Sequence, residues 1–493
     1  MTARTEYEDL LAAMSDETKQ ELSAIPFPEL PMDVFQLHAI LETIPRDIRE
    51  RHGGVVRQVV KLNGLMRLTS AEEKEEKPIE PPIELTDDLI REITFSDVGC
   101  ILETSIKKDD AAKLITFCGM LLAQTEDDQI NVGFQEQSSA GKSYIPLEVS
   151  VYFPREEVKR IGGATPTAFT YEQGKWDDVR KAVIVDLEGK ILIFLDMPDY
   201  RLLERLRPLL AHDWKEIEYK TTDKSQKYGL RTKTAIIRGY PSVFFCTTKT
   251  DPDEQEKTRL ILVSPATDQI KIDESLKLTA LRKGNYGRYR KEVLEDPTRV
   301  WLSNRIKAIR QFGIKQVILP EDGEGLYKKF KEGHPYLLAR HQRDFPRIIS
   351  FVKAHALLNS FHREKVMNGH IDKPAAILAN QGDIDAGLTL YKLIESSNEL
   401  GLSPYIFRIF EKVIQPLLVS DVGISRKELR RQFFNVFRKT LPEKHEASIL
   451  SQLEAGGLIT QEPDPADKRQ NLIYPTHPAD ISPPLLESVD KRQ

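Results

Sequence analysis

The amino-acid sequence predicts an α/β protein with a largely parallel sheet near its centre, helical regions on either side and a small module near the carboxyl terminus. Three observations predict this class. Between residues 130 and 265, short apolar runs alternate with helical patterns. A loop of small residues joins one such run to a helix-compatible stretch. Beyond residue 401, three helical patterns precede a hairpin-like segment. Strands that alternate with helices are typical of parallel sheets, because each crossover needs a connecting element.

The composition indicates a folded protein of several domains. The chain has 493 residues, 40% of them hydrophobic and 30% charged, and this length suggests about three or four domains. The formal net charge of −5 gives no overall positive field, so nucleic-acid binding would need local basic patches. The amino terminus lacks the apolar segment of a signal peptide, and no apolar run of about 18 residues exists. We therefore expect a cytoplasmic protein without a membrane span.

The cysteines do not indicate a metal site. Cys100, Cys118 and Cys246 form no C-x-x-C pair and have no histidine at metal-binding spacing. We expect them to be buried small side chains rather than zinc ligands. So few cysteines in so long a chain also fit a reducing compartment.

Changes in composition divide the chain into six regions. The segment from Ser70 to Glu84 is first charged and then rich in proline, which is typical of a linker. The regions we predict are a helical amino-terminal region (1–70), the linker (71–88), an α/β core (89–275), a helical lid region (276–400), a carboxyl-terminal module (401–475) and a disordered tail (476–493). Within the core, residues 86–125 have the pattern of two helices.

A phosphate-binding loop is predicted from Glu136 to Ser143. This stretch, EQSSAGKS, follows the apolar run INVGF and resembles the pattern G-x-x-x-x-G-K-[ST]. In such a loop, backbone N–H groups surround phosphates, and small side chains allow that approach. The residues expected to hold ATP are Ser138, Ser139, Ala140, Gly141, Lys142, Ser143 and Tyr144. Glu136 replaces the first glycine, and a chance G-K-S in a surface turn is the alternative.

Two further strand ends are candidate catalytic positions. The run ILIFLD ends at Asp196, which with Ser143 would hold Mg²⁺. Met197 follows where many such enzymes have a glutamate. Asp199 is therefore either the catalytic base or the cap of a helix that begins at Tyr200. The run PSVFFCT ends at Thr247, which either senses the γ-phosphate or forms an ordinary turn.

This order of elements over roughly residues 95–400 resembles the ATPase core of AAA+-like helicases, including superfamily-three helicases of plasmids, phages and archaeal mobile elements. The resemblance implies a P-loop NTPase fold, with ATP and Mg²⁺ as cofactors. It also implies a homo-oligomeric ring, a hexamer, acting on single-stranded or forked DNA. Glu136, Met197 and the threonine strand end depart from the family's pattern. These departures bear on the rate of hydrolysis more than on nucleotide binding.

The resemblance also implies a DNA-gripping hairpin between the Asp196 strand and the Thr247 strand. We expect strands over 216–220 and 230–237, with a tip over 221–228. The basic residues expected to contact DNA phosphates are Lys220, Lys224, Lys227, Arg231 and Lys233. An ordinary solvated hairpin is the alternative.

Two arginines match positions that act on nucleotide in that family. Arg259 precedes the last core strand and would reach the γ-phosphate of the neighbouring subunit in trans. Its alternative is a local ion pair with Asp253 or Glu254. Arg347 would be a second sensor on the nucleotide of its own subunit, although Arg343 is equally well placed.

Residues 404–475 have the pattern of a winged helix. Ser425 and Glu428 match a capping box at the start of the second helix, and Gly456 ends the third. In a winged helix the third helix commonly enters the DNA major groove. Here it carries Lys444, His445 and Ser448 but also acidic residues, so binding to DNA and binding to protein both remain open.

The sequence thus predicts an ATP-dependent DNA translocase or helicase that acts in the replication of a mobile element. The alternatives are an ATPase switch in defence or transcription control that does not unwind DNA, and a protein that binds nucleotide without turnover.

Overall fold

The computed structural model describes residues 83–476, apart from 137–140, 173, 224–230, 248–258, 335–336, 338–339, 368–373, 396, 398–399, 401, 419–422, 466 and 468–469. The predicted region over 1–70, residues 71–82 of the predicted linker and the tail beyond 476 lie outside the described residues. In the described part, no helix combines the length and the apolar character needed to cross a membrane.

Within the described residues, three helices precede the first strand. They are α1 (Asp87–Ile90), α2 (Phe95–Leu102) and α3 (Asp110–Leu122). The two helices predicted over 86–125 correspond to α2 and α3, and α1 is an additional single turn. Thr94 and Asp97 form a capping box at the start of α2, which satisfies backbone N–H groups that the first turn leaves without helical partners.

The centre of the chain is a five-stranded parallel sheet in the order β2–β5–β8–β1–β9. Its strands are β1 (Val132–Gln135), β2 (Val158–Ile161), β5 (Ile191–Phe194), β8 (Ser242–Thr247) and β9 (Ile261–Val263). Helix α4 (Tyr144–Val149) follows β1 directly. A parallel sheet with surrounding helices fits the predicted core of an α/β P-loop NTPase.

The central strands β5 and β8 are buried on both faces, which explains why they read as largely continuous apolar runs, whereas the edge strand β2 (VKRI) is only partly buried. Ile191 and Ile193 of β5 belong to one hydrophobic cluster, which includes α3, whereas Leu192 and Phe194 belong to the cluster on the other face. Side chains of successive strand residues point to opposite faces, so each strand helps to join the two clusters.

A second sheet, of four strands, carries the predicted hairpin. Its order is β3 (Lys175–Asp177), β4 (Ala182–Asp186), β7 (Arg231–Arg238) and β6 (Glu216–Asp223), and α5 (Tyr200–Leu210) lies between β5 and β6 in the chain. The runs KAVIVDL and TKTAIIRG therefore belong to this sheet rather than to the core sheet. Strand β6 also extends to Asp223, beyond the predicted end at residue 220, because it pairs with β7 as far as Arg231.

The region after β9 is mainly helical, as predicted, but it also contains a small sheet that the sequence did not predict. Its helices are α6 (Gln269–Gly284), α7 (Tyr286–Tyr289, continued as a π-helix over Arg290–Leu294), α8 (Pro297–Phe312), α9 (Glu324–Gly333), α10 (His341–Leu358) and α11 (Gln381–Lys392). A three-stranded sheet of β10 (Gln316–Ile318), β12 (Pro374–Leu378) and β11 (Glu364–Met367) lies among them. These strands are short and interrupted by polar residues, so their pattern in the sequence is weak.

Helices α8, α10 and α11 share one hydrophobic cluster with α3 and the core sheet, through residues such as Ile306, Phe351 and Leu390. The described part of 276–400 is therefore continuous with the core rather than a separate lid.

The carboxyl-terminal module has its own hydrophobic cluster, which includes Ile406, Leu450 and Ile473. Its elements are α12 (Pro404–Ile409, continued by π and 3-10 turns to Leu417), α13 (Arg426–Phe437), α14 (Glu443–Ala455), β13 (Ile459–Pro463) and β14 (Asn471–Pro475). The strands pair in antiparallel fashion, as the predicted hairpin requires. The predicted capping box of Ser425 and Glu428 is present, and it begins α13.

A buried ion cluster ties the region after β9 together. Asp383, which caps α11 from within, accepts hydrogen bonds from Arg363 at 2.8 and 2.7 Å and lies 2.6 Å from Nδ1 of His355 on α10. Its side chain has no exposed surface. Removing one partner of such a cluster leaves the others buried without compensation.

We predict that Asp383→Asn lowers the free energy of unfolding by about 3 kcal/mol, measured as a lower thermal midpoint. Asp385→Asn on the same helix is the control. Asp385 forms a solvent-exposed pair with Lys329 at 2.6 Å, and such pairs contribute roughly 0–1 kcal/mol. Equal destabilisation by both variants would contradict the importance of the buried cluster.

The same cluster predicts a pH dependence. Burial alone would raise the pKa of Asp383, but hydrogen bonds from His355 and Arg363 hold that pKa below its ordinary value of 3.8. The stabilisation is therefore present above the unfolded-state pKa and is lost as the pH falls through the folded-state pKa. The stability difference between wild type and Asp383→Asn should stay constant from about pH 8 to pH 5 and shrink below about pH 4. A difference that shrinks near pH 6 would contradict this assignment.

Candidate functional site

The phosphate loop joins the carboxyl end of β1 to the start of α4. Gln135 is the last residue of β1, and Ser143 is the residue before α4. Gly141 has a φ of +90°, a conformation that side chains other than hydrogen disfavour, so the pattern's second glycine is required by the backbone here. The structure thus confirms the predicted strand, loop and helix order, while Ser138, Ser139 and Ala140 lie outside the described residues.

Lys142 points back into the loop. Its Nζ donates a hydrogen bond to the backbone carbonyl of Glu136 at 2.7 Å, and both residues are buried. Burial lowers the pKa of Lys142, while the charge of Glu136 opposes that shift. The Lys142 side chain therefore reaches from near the end of the loop back to Glu136, the first residue of the loop.

The parallel strands bring the other predicted residues to the same edge. Thr247 at the end of β8 is in register with Gln135, and Phe245 is in register with Phe194 of β5. Asp196 follows β5 by two residues, is exposed, and accepts a hydrogen bond from the N–H of Met197 at 2.8 Å. The ends of β1, β5 and β8 thus meet where open α/β sheets bind ligands.

Cys246 lies between these groups. Its Sγ is 3.6 Å from the carbonyl oxygen of Lys142. Burial raises the pKa of Cys246 to about 12, with Lys142 opposing the rise and Asp196 adding to it. The charges of Lys142 and Asp196 thus both act on the pKa of this thiol.

The residues at this edge suit Mg²⁺ bound together with phosphate. Mg²⁺ in such sites keeps several waters and takes only one or two protein ligands besides the phosphates. Asp196 presents an exposed carboxylate, and the Ser143 hydroxyl makes no capping hydrogen bond to α4. In the described part of the chain, no cluster of three or more His, Cys, Asp or Glu residues forms an all-protein metal site.

Asp199 caps helix α5, which was one of its two predicted roles. Its Oδ1 accepts a hydrogen bond from the N–H of Arg201 at 2.8 Å. Helix capping is therefore sufficient to explain why an aspartate lies at the start of α5.

Arg259 and Arg347 lie at the opposite edge of the core sheet from Lys142. Arg259 precedes Leu260, and Arg347 donates hydrogen bonds to the Leu260 carbonyl and to Asp344, each at 2.8 Å. Both arginines line one cleft with Asp127. Since β1 spans four residues, the two edges are about 10 Å apart. This position does not agree with the prediction that Arg347 senses the nucleotide of its own chain.

A cavity of about 420 Å³ adjoins the phosphate loop. Its lining includes Gly141 and Tyr144 from the loop and α4, Leu276 from α6, and Tyr405 and Phe433 from the carboxyl-terminal module. The hydroxyl of Tyr144 donates to the Ser105 carbonyl at 3.0 Å, which fixes the ring at the cavity wall. The volume falls in the range of small-molecule sites, roughly 300–1,000 Å³.

The sequence reasoning missed the groups that surround Glu136. Arg408 on α12 places NH1 3.7 Å from Glu136 Oε2, and Lys271 on α6 forms a buried ion pair with Asp109. A carboxylate at the first loop position indicates that a cation lies nearby. One sequence does not show which of the chain's 71 lysines and arginines is that cation.

The hairpin presents part of its predicted basic surface. Lys220 on β6 and Lys233 on β7 are exposed, and Lys220 lies 3.7 Å from Glu218. Lys224, Lys227 and the side chain of Arg231 lie outside the described residues.

The third helix of the carboxyl-terminal module exposes only some of the charged side chains that its sequence contains. Lys444 is exposed, but His445 Nε2 is 2.9 Å from the Tyr405 hydroxyl. Glu446 is fully buried and accepts from Nε of Arg430. Of the predicted contacts, Lys444 is the most available to DNA.

Comparison with known proteins shows distant similarity of structure only. No family model matches the chain, and no curated protein matches it. A full-length MCM homolog from Methanopyrus kandleri aligns with a TM-score of 0.35 and 11% identity over 63% of this chain. The active helicase Cch of SCCmec type IV aligns with a TM-score of 0.29 and 14% identity, covering 81% of this chain and 74% of its own. The chain spans 59% of the length of the Methanopyrus kandleri protein.

The cysteines differ in exposure. Cys118 and Cys246 are buried, as predicted, but the prediction is wrong for Cys100, which is exposed. Cys100 lies on α2, which turns only one side towards the hydrophobic cluster. The three thiols should therefore differ in reactivity.

With iodoacetamide at pH 8, we expect Cys100 to be alkylated rapidly in the native protein, whereas Cys118 and Cys246 react only after unfolding. Peptide mass spectrometry over time measures each site. Alkylation of Cys246 as fast as that of Cys100 would show that the strand end beside Lys142 is open to solvent.

Proposed function

We propose that this protein is a Mg²⁺-dependent ATPase that moves on single-stranded or forked DNA as a homo-oligomeric ring, a hexamer. The observation that supports the ATPase most strongly is that β1, β5 and β8 are parallel and end at one edge of the sheet, so that Thr247, Asp196 and the loop before Lys142 lie at or directly after those strand ends. A phosphate loop with the required glycine conformation lies at that edge. The cavity beside Tyr144 has room for the nucleoside that the phosphates carry.

In this proposal the triphosphate occupies the loop from Glu136 to Ser143. Lys142 exchanges its bond to the Glu136 carbonyl for the β and γ phosphates, and Thr247 positions the γ-phosphate or the attacking water. Ser143 and Asp196 would hold Mg²⁺, which neutralises phosphate charge when it is bound.

Arg259 completes the site in trans in this proposal. It lies just before β9, at the other edge of the sheet and about 10 Å or more from the phosphate loop of its own chain. A neighbouring copy in a ring would bring an arginine from that edge to the nucleotide. Such arginines offset transition-state charge in related phosphoryl transfer.

The hairpin between β5 and β8 supports the DNA part of the proposal. Exposed lysines on both strands suit contacts to a phosphate backbone, which are strong and independent of sequence. The carboxyl-terminal module is proposed as a winged helix with Lys444 toward DNA, and the resemblance would place the activity in replication of a mobile element.

One observation favours a second function, an ATPase switch without unwinding. The carboxyl-terminal module contacts the phosphate loop directly through Arg408, which suits a protein that transmits its nucleotide state to a binding module. ATP hydrolysis that is indifferent to DNA would favour this alternative.

We predict that wild-type protein hydrolyses ATP with Mg²⁺ and is stimulated by single-stranded DNA, and that Lys142→Ala lowers the rate by about 100-fold or more. Phosphate release with and without DNA measures this. Lys190→Ala is the control, because Lys190 lies one residue before β5 at the opposite edge. A Lys142→Ala rate equal to that of wild type would contradict the proposed phosphate site.

A second prediction concerns the hairpin. The double variant Lys220→Ala with Lys233→Ala should bind single-stranded DNA more weakly. The slope of log affinity against log salt should become shallower by about 0.7 for each DNA phosphate that a lysine no longer neutralises. Fluorescence anisotropy at several salt concentrations gives the slope. Lys328→Ala with Lys329→Ala on α9 removes the same charge elsewhere. Equal slopes for the two double variants would rule out specific binding of DNA by the hairpin.

A further inference from the structure

Glu136 puts a buried negative charge at the first position of the phosphate loop. The residue has 3% of its surface exposed and follows the last residue of β1. The ordinary pattern has glycine here, so that phosphates can approach the backbone. A carboxylate in this position repels the phosphates unless a cation compensates it.

Arg408 is the cation that lies against this carboxylate. It projects from α12, the first helix of the carboxyl-terminal module, and its side chain is 19% exposed. Its NH1 is 3.7 Å from Glu136 Oε2 and donates to the Thr267 hydroxyl at 3.3 Å. Lys142 also lies near Glu136, because its Nζ donates to the Glu136 carbonyl at 2.7 Å. Lys271 is paired with Asp109 and donates to the Ala266 carbonyl at 2.9 Å. Within the carboxyl-terminal module, Arg408 is the cation placed to offset Glu136.

Hydrogen bonds connect helix α12 to the carboxyl ends of β9 and β1, and the loop begins at the end of β1. The Tyr405 N–H donates to the Ser264 hydroxyl at 3.0 Å, and that hydroxyl donates to the Gln135 carbonyl at 2.6 Å. Tyr405 also contacts His445 of α14. A change at Glu136 or Gln135 thus has a short path of direct contacts into the carboxyl-terminal module.

We infer that Arg408 is a positioning residue of the nucleotide site: it neutralises Glu136 so that a triphosphate can occupy the loop, and it links that occupancy to the carboxyl-terminal module. This inference rests on the proposed nucleotide site.

The inference predicts that the effect of substituting Arg408 on nucleotide affinity depends on whether Glu136 is present. Arg408→Ala should weaken binding of the non-hydrolysable analogue AMP-PNP with Mg²⁺ by about tenfold, because less positive charge then lies beside Glu136 to offset its repulsion of the phosphates. In a Glu136→Gly background the carboxylate is gone, and Arg408→Ala should change affinity by less than about twofold. Arg408→Lys keeps the charge and should retain most of the affinity.

Isothermal titration calorimetry of the full chain measures the four affinities of this cycle. Lys412→Ala, an exposed cation in the same module, is the control and should bind as wild type does. Thermal midpoints verify that each variant is folded. Glu136→Gln, which keeps the side-chain shape, replaces Glu136→Gly if the latter unfolds.

The outcomes separate the inference from the proposed function. An equal loss of affinity from Arg408→Ala in both backgrounds, or no loss in either, would overturn the inference while nucleotide binding stands. Absence of AMP-PNP binding by wild type would overturn the proposed site and the inference with it. Hydrogen exchange over 404–417 gives an independent readout, since AMP-PNP should change exchange there in wild type and not in Glu136→Gly.

Discussion

The parallel direction of β1, β5 and β8 is the constraint on which the candidate site depends. Because all three strands end at one edge, Thr247, Asp196 and the loop that leads to Lys142 lie at or directly after that edge, although more than a hundred positions separate residue 142 from residue 247. The strands are held in place by apolar side chains on both faces, and the polar groups appear only where the strands stop. Apolar burial thus positions the strand ends at which the candidate residues lie.

The Lys142 hydrogen bond shows how the site is organised without nucleotide. The lysine is buried, its charge is disfavoured there, and the Glu136 carbonyl partly offsets that cost. A phosphate is a stronger acceptor than a carbonyl, because it carries charge. The loop therefore holds its lysine close to the place where a phosphate would bind it. The negative charge of Glu136 would repel a phosphate, and the positive charge of Arg408 would reduce that repulsion.

The main features of this site were predictable because they depend on local patterns. A strand, a loop of small residues and a helix follow one another at 132–149, and an aspartate ends the run at 191–196; each can be read in a short window. The capping box at Ser425 is local as well. The position of Arg347 was not predicted, because it depends on how α10 packs against β9. A short stretch of sequence holds no information on such packing. Arg408 was missed for the same reason, since 272 positions separate it from Glu136 and only the folded module brings them together. The short strands β10, β11 and β12 were missed because three to five residues with polar interruptions give little periodicity.

A structure of the full chain with AMP-PNP and Mg²⁺ would test the central claim most directly. The account predicts the triphosphate in the loop between Glu136 and Ser143, with Lys142 Nζ on a phosphate oxygen and no longer on the Glu136 carbonyl. A nucleotide bound elsewhere, or a Lys142 that keeps its bond to the Glu136 carbonyl while nucleotide is present, would contradict it.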